Sequence, residues 1–114
     1  MVTLVSTETF DAKAEKLLTA DERAALEYFL AVDPETHPVI PGLNGIRKAR
    51  WGRQGQGKRG GVRVIYFYAL SAEVVLLLTL YAKNEREDMS HAQKKEINRF
   101  IEAYKASLSS EHSR

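Results

Sequence analysis

Hydrophobic positions recur with two different periods along the chain, and each period predicts a type of element. The segment Val2–Ser6 alternates weakly and is rich in β-branched residues, which predicts a short strand. Two helices are predicted after it, from apolar residues at helical spacing: Phe10, Ala14, Leu17 and Leu18 in the first, and Leu26, Phe29 and Leu30 in the second. Thr19 and Glu22 predict a capping box for the second helix, and Asp33-Pro34 ends it.

The middle of the chain is predicted to form three strands of one sheet. Residues 34–45 contain all three prolines and form a connecting loop inside the domain. The strands are Ile46–Trp51, Val62–Leu70 and Val74–Ala82. The last of these is almost wholly apolar, so we expect it at the centre of the sheet, buried on both faces. The short turn that precedes it predicts an antiparallel hairpin.

A last helix completes the order of elements. Ser90 and Gln93 predict its capping box, and residues 109–114 are expected to be a frayed tail. Its buried stripe consists of Ile97, Phe100, Ile101, Tyr104 and Leu108. The order β-α-α-β-β-β-α predicts an α+β fold, and 114 residues suffice for a single domain spanning 1–114.

Composition excludes several classes of protein. The chain has no cysteine, which excludes disulfides, a thiol nucleophile and a cysteine zinc site, and fits a cytoplasmic location. The first ten residues lack the basic and apolar regions of a signal peptide. The apolar run Val74–Ala82 is far shorter than the ~20 residues that span a bilayer. We therefore expect no membrane association.

Charge is strongly segregated. The stretch Gly42–Tyr68 has no carboxylate and carries seven basic residues: Arg47, Lys48, Arg50, Arg53, Lys58, Arg59 and Arg63. The rest of the chain has 10 basic and 15 acidic residues, so the net charge of +2 conceals a basic element on an acidic scaffold. Such clustering favours a polyanionic partner.

The sequence contains no recognisable motif of a metal-dependent, nucleotide-binding or histidine-based enzyme. His37, His91 and His112 lie in loop or surface contexts, and no metal-ligand spacing or P-loop occurs, so we expect no metal and no cofactor. Strand alternation instead places Lys48 and Arg50 on one face, opposite to Arg47. The glycine-rich segment 52–61 is expected to track a phosphate backbone.

Two motifs carry a specific resemblance. GIRKARWGRQGQGKRGGVRVIYFY, followed by LLLTLYAKNEREDMS, resembles the RelE/ParE superfamily of toxins from type II toxin–antitoxin pairs and is most similar to its HigB branch. The resemblance covers residues 42–105 closely. It implies an α+β fold with a twisted antiparallel sheet and a ribosome-dependent endoribonuclease that cleaves mRNA. It also implies a cognate antitoxin, a helix-turn-helix protein of the HigA type.

The resemblance assigns the catalytic candidates, whereas the RNA-binding candidates follow from their place in or beside the basic stretch. The catalytic candidates are Lys48, Arg50, Arg63 and Lys83. The RNA-binding candidates are Arg47, Arg53, Lys58, Arg59 and Asn84. Arg63 suits the phosphate, because a guanidinium is a planar, bidentate donor. Lys48 and Lys83 are candidates for proton transfer, since a lysine crowded by other cations loses its proton more readily.

Two departures from the RelE pattern leave the general base open. Asn84 stands where RelE has a further arginine, and Met89 or Ser90 stands where RelE has a functional tyrosine. Two other functions are considered beside the nuclease: a ParE-like inhibitor of DNA gyrase and a non-catalytic RNA-binding module. Lys48, Arg50 and Arg63 argue against the first, because the ParE branch lacks this basic cluster.

Overall fold

The elements occur in the order predicted from the sequence. A computed structural model describes residues 2–52, 61–83 and 89–112, the last three by their backbone only. The strands are β1 (Thr3–Ser6), β2 (Arg47–Trp51), β3 (Val62–Ala69) and β4 (Val74–Ala82). The helices are α1 (Glu8–Leu17), α2 (Ala20–Val32) and α3 (His91–His112), and a 3-10 turn (Leu70–Ala72) joins β3 to β4.

The helix starts are fixed by side-chain caps. Thr7 caps α1, since its Oγ1 accepts from the amide of Phe10 at 3.0 Å. Thr19 and Glu22 form the predicted capping box of α2: each side chain accepts a hydrogen bond from the backbone N–H of the other. Such bonds satisfy amides that a helix N-terminus leaves without intrahelical partners. The sequence predicted the α2 cap to the residue.

The sheet is mixed, with the strand order β1-β4-β3-β2. The pairs β2–β3 and β3–β4 are antiparallel, as expected, but β1 runs parallel to β4, with Thr3 opposite Val74. The expectation of a wholly antiparallel sheet is therefore corrected for its first strand. The pair becomes parallel because the chain leaves β1 through two helices and a hairpin and returns in β4 in the same direction. The central position predicted for β4 is confirmed.

Each face of the sheet has its own hydrophobic core. On the face covered by α1 and α2, called the α1/α2 face, Phe10, Leu26 and Leu30 pack on Ala49 and Tyr66. The opposite face, called the α3 face, is covered by the last helix. Ile46, Ile65, Tyr81 and Met89 are buried there with Ile101 of α3, and Ile97, Tyr104 and Leu108 pack against them.

Helix α3 is longer than the sequence indicated. Its backbone is helical to His112, so it includes residues 109–112, which were assigned to the tail; their fraying stays a prediction. Within the described ranges, no helix is both long enough and apolar enough to cross a bilayer.

Candidate functional site: a basic row across the α3 face

Cross-strand register brings three of the four predicted catalytic residues together. Arg50 of β2 is directly opposite Arg63 of β3, and Arg63 is opposite Tyr81 of β4. One step along the sheet, Lys48 is opposite Ile65. Paired positions of a sheet share a face, and Ile65 and Tyr81 belong to the α3 core. Lys48, Arg50 and Arg63 therefore form a basic cluster on the α3 face.

The cluster has an exposed edge and a buried centre. Arg50 is exposed and Lys48 is half-buried, whereas Arg63 retains only 9% of its accessible surface. No ion pair joins Arg63 to a carboxylate in the part of the chain that the structure describes. A buried charge is normally paired, and like charges placed directly opposite each other destabilise a sheet. Arg50 and Arg63 therefore place two like charges directly opposite each other, and neither is paired with a carboxylate of the described residues.

Lys83 extends the same row of positions beyond the end of β4. Its backbone amide donates to the carbonyl of Gly61 at 3.1 Å, which continues the β3–β4 ladder by one pair. Lys83 is two residues after Tyr81, so the alternation of strand side chains places it on the α3 face, and it is exposed. The fourth catalytic candidate thus lies at the end of the sheet where β3 begins, close in register to Arg63.

Arg47 is separated from the cluster, although it was predicted to bind RNA. It lies opposite Tyr66, which is in the α1/α2 core, and so faces away from Lys48 and Arg50. Its Nη1 donates to the carbonyl oxygens of Glu35 at 2.9 Å and His37 at 2.6 Å. The geometry gives Arg47 a contact within the protein rather than a place in the cluster, and an RNA contact by this residue stays a prediction without structural support.

The other RNA-binding candidates lie outside the described residues. These are Arg53, Lys58, Arg59 and Asn84, together with most of the glycine-rich segment 52–61. Their predicted roles therefore stay predictions. What the structure does describe are the two ends of that segment, Gly52 and Gly61, which adjoin the strands of the cluster.

The two positions that the resemblance sets against the RelE tyrosine are used for folding. Met89 is buried in the α3 core with 6% of its surface accessible. Ser90 and Gln93 form the predicted capping box of α3: Ser90 Oγ accepts from the Gln93 amide at 3.2 Å, and Gln93 Oε1 accepts from the Ser90 amide at 2.9 Å. Neither residue offers an ionisable group, so the identity of the general base stays open.

Histidine 37 differs from its expected surface environment. Its ring lies 5.0 Å from that of Phe29 and 6.1 Å from that of Tyr66, and its Nε2 is buried without a hydrogen-bond partner among the described residues. Burial lowers the pKa of His37 below its usual value, the nearby Asp33 opposes this, and Arg47 adds to it. His91 is exposed at the start of α3, as expected. The side chain of His112 lies outside the described residues.

Two buried hydroxyl groups beside the cluster were missed as possible site groups. Tyr81 and Thr79 retain 4% and 7% of their surface, and register places them opposite Arg63 and Ile65. Sequence alternation shows that they share a face with Lys83, but only the register of β3 against β4 shows which basic residue each one meets. That register contains a bulge between Ile65 and Tyr66, which no sequence signal marks.

A cavity of about 480 Å³ also opens on this side of the molecule, displaced from the cluster towards β1. It lies between β1, the start of α1 and the first half of α3, and its wall includes Thr79, Lys13 and Phe100. None of the basic cluster lines it. Over residues 2–52, 61–83 and 89–112, no group of three or more His, Asp or Glu side chains is placed to hold a metal ion.

Comparison with known proteins gives a family match over most of the chain. Residues 42–112 match the model of the RelE toxin of the RelE/RelB toxin–antitoxin system. The matched range contains the basic cluster, Lys83 and all of α3.

Solved structures show the same fold. The chain is similar to a mutant of the E. coli toxin RelE in the free state, with a TM-score of 0.55 and 19% identity over 75% of this chain and 87% of that one. It is also similar to a chain in the crystal structure of the intact E. coli RelBE toxin–antitoxin complex, with a TM-score of 0.54 and 16% identity over 72% of this chain and 96% of that one. At these identities the likeness concerns the fold alone.

Proposed function

Because this chain belongs to the RelE family of toxins from toxin–antitoxin systems, we propose that it is an endoribonuclease that cleaves translated mRNA on the ribosome. The observation that carries the proposal is the facing pair Arg50–Arg63, which has no carboxylate partner among the described residues. Such a pair is unfavourable in the free protein and becomes favourable when a phosphate binds to it. Lys48 and Lys83 lie on the same face as this pair.

The chemistry asks three things of the site. The 2′-hydroxyl must lose its proton as its oxygen attacks the adjacent phosphorus, the pentavalent transition state carries extra negative charge, and the departing 5′-oxygen must gain a proton. Arg63, held rigidly by its burial, stabilises the equatorial oxygens. Lys48 and Lys83 are the candidates for the two proton transfers, since lysine is the only residue type in the cluster that readily exchanges a proton.

Dependence on the ribosome follows from what the site lacks. An open row of cations holds phosphates of any RNA, but it does not by itself align a 2′-hydroxyl with the bond to be broken. A substrate oriented by the decoding site supplies this alignment. In well-oriented intramolecular reactions, such alignment lowers the activation barrier by up to roughly 7–11 kcal/mol. We therefore propose mRNA in a translating ribosome, rather than free RNA, as the substrate.

We also propose a cognate antitoxin as partner. The similar E. coli structure is titled as a complex of toxin with antitoxin. The sequence motifs favour the HigB branch within the family and hence an antitoxin with a helix-turn-helix domain. A basic cluster that is exposed on one side suits inhibition by an acidic or covering partner.

Cleavage on programmed ribosomes tests the proposal. Arg63→Ala and Lys83→Ala should each lower the cleavage rate by about 100- to 1,000-fold, as expected when a transition-state donor is removed. Arg99→Ala is the matched control. Arg99 is exposed on α3, so its substitution removes the same charge outside the cluster. Far-UV circular dichroism should confirm that each variant is folded.

Each alternative function gives a distinct result. Expression of the wild-type chain should arrest growth and produce cuts within translated mRNA, and intact mRNA in arrested cells would sink the proposal. Arrest accompanied by loss of gyrase supercoiling would indicate the ParE-like function. Weaker ribosome binding by Arg63→Ala, with no cleavage by the wild type, would indicate a non-catalytic RNA-binding module.

A further inference from the structure

The loop between α2 and β2 is fastened to the sheet by two side chains that face each other across strands. Arg47 of β2 and Tyr66 of β3 are register partners. Arg47 Nη1 donates to the carbonyls of Glu35 and His37, and the Tyr66 hydroxyl donates to the carbonyl of Pro34 at 2.7 Å. The carbonyls of loop residues 34, 35 and 37 are thus bonded by side chains from the α1/α2 face of the sheet.

The same loop covers the outer edge of β2, which is the last strand in the sheet order. The backbone amide of Lys48 donates to the carbonyl of Pro38 at 3.0 Å, and Val39 forms an isolated antiparallel bridge with Arg47. The amide of Ile40 donates to the carbonyl of Ile46 at 2.8 Å. The backbone of Lys48 is therefore fixed by β3 on one side and by this loop on the other.

His37, in the loop itself, adds ring contacts to the hydrogen bonds that hold the loop on the sheet. Its ring fills the space between Phe29 of α2 and Tyr66, and its buried Nε2 has no acceptor within the described chain. The charged or titratable groups around it are Asp33 at the end of α2, Arg47 on β2 and the Tyr66 hydroxyl on β3, which stays neutral because burial raises the pKa of Tyr66 to about 12. A protonated ring would place a second cation beside Arg47 and a buried N–H without an acceptor.

We propose that Arg47 is a positioning residue, which together with neutral His37 holds the α2–β2 loop against β2 and so presents Lys48 and Arg50 at the cleavage site. The catalytic part of this inference rests on the proposed nuclease function. The structural part, that Arg47 orders the backbone at Lys48, stands without it. A direct RNA contact by Arg47, the role predicted from sequence, is the competing account.

The expected fall in the cleavage rate on loss of these contacts follows from how precisely a catalytic group must be placed. Displacement of a reacting group by about 1 Å lowers a rate by as much as about 100-fold. β2 has only five residues and pairs with a single strand, so its start has few other restraints. Loss of the loop contacts should therefore move Lys48 and Arg50 without unfolding the sheet.

The first experiment compares Arg47→Met with Arg99→Met, which removes one exposed charge from α3. Two measurements are made: cleavage on programmed ribosomes, and hydrogen exchange at the Lys48 amide in the free protein. For Arg47→Met we expect kcat to fall by about 10- to 100-fold with little change in KM, and the Lys48 amide to lose protection. The control should leave the Lys48 amide protected.

The outcomes separate the competing accounts. A raised KM, with unchanged kcat and a Lys48 amide that stays protected, would establish direct RNA binding and overturn the proposal. Lost protection together with absence of cleavage by the wild type would refute the nuclease function while supporting the role of Arg47 in ordering β2. Unchanged protection and unchanged kinetics would overturn the inference outright.

The second experiment needs no change at Arg47, so it remains decisive if Arg47→Met fails to fold. The folded state favours neutral His37. The contacts that hold the α2–β2 loop on β2 are therefore complete above pH 6.5, and they are lost as the pH falls through the lowered pKa of His37. The protection factor of the Lys48 amide should fall over this range in the wild type and in His91→Phe, but not in His37→Phe, which keeps an aromatic ring without a titrating group. An identical fall in His37→Phe, or no fall in the wild type, would refute the inference.

Discussion

Arg50 and Arg63 meet at adjacent positions of neighbouring strands, where the side chains of a sheet interact most strongly. Two like charges there raise the free energy of the folded state, and the burial of Arg63 increases the effect because water screens the pair less. Natural proteins keep such unfavourable arrangements where function needs them. We infer that the pair serves the proposed phosphate site rather than the stability of the fold.

Substitution of Arg50 by threonine tests this explanation. Arg50→Thr removes the repulsion and introduces a residue that suits a strand, so we expect the free energy of unfolding to rise by about 0.2–1 kcal/mol while cleavage is lost. Urea denaturation at low salt measures the gain, which should shrink at 1 M salt because the charges are then screened. A loss of stability in Arg50→Thr would show that Arg50 stabilises the free protein.

Sequence reasoning reached some of these residues and not others, for a physical reason. Alternation along one strand is local, so the opposite orientations of Arg47 and Lys48 were predicted correctly. The partner of each side chain is set by register and by tertiary contacts. Neither the pairing of Arg63 with Tyr81 nor the contact of Arg47 with loop carbonyls is encoded in a local pattern. Charge composition alone placed Arg47 among the RNA-binding residues.

At the scale of elements, a short loop before β2 docks on α3. Asn44 adopts a left-handed backbone with φ of 55°, between Gly42 and Gly45, which also have positive φ. Its Nδ2 donates to Asn98 Oδ1 at 2.6 Å, and Lys105 Nζ donates to its carbonyl at 2.8 Å. These contacts link α3 to the chain that enters β2.

Two substitutions at Asn44 separate backbone strain from side-chain bonding. Asn44→Gly keeps the left-handed conformation and loses the bond to Asn98, whereas Asn44→Ala loses the bond and also strains the backbone. We expect Asn44→Ala to be less stable than Asn44→Gly by about 1 kcal/mol, measured by thermal or urea unfolding. Equal stabilities would contradict the strained conformation of this residue.

The predictability of the elements follows from the range of the forces that form them. The capping boxes of α2 and α3 and the hairpin of β3 and β4 depend on residues a few positions apart, and all were predicted. The parallel pairing of β1 depends on a strand some seventy residues away, since Thr3 pairs with Val74. Composition could not show this, because a parallel and an antiparallel edge strand of four residues have the same pattern.

At the scale of the whole molecule, a polar network ties β1 to both N-terminal helices. Ser6 Oγ of β1 donates to Asp11 Oδ1 of α1 at 2.6 Å, and Arg23 Nη2 of α2 donates to the same carboxylate at 2.8 Å. Arg23 also lies over the ring of Phe10, with its guanidinium carbon 5.3 Å from the ring centroid. The hydrogen bond from Ser6, followed by that from Arg23, lowers the pKa of Asp11 below its usual value of 3.8.

The network makes stability depend on pH in one direction. The pKa of Asp11 is lowered on folding. The contribution of its carboxylate to the free energy of unfolding is therefore complete above pH 3.8 and is lost as the pH falls through the folded-state pKa. Asp11→Asn should therefore be less stable than the wild type at pH 6, with a difference that shrinks on acidification below pH 3.8. Glu15→Gln, an exposed carboxylate on the same helix, is the control and should show neither effect. A difference that is constant with pH would refute the assignment.

The pairing of the first strand with the last also sets the order in which the molecule is completed during synthesis. Thr7, which follows β1 and caps α1, donates from its hydroxyl to the carbonyl of Leu78, 71 residues later. At about 5–20 residues per second, roughly 4–14 s pass between the synthesis of these two partners. Lys48, Arg50 and Arg63 are all synthesised within that interval, before β4 exists to hold β3 in place. In a newly made toxin, β3 therefore lacks its neighbour on the β1 side until the chain has been translated as far as β4, which ends at Ala82.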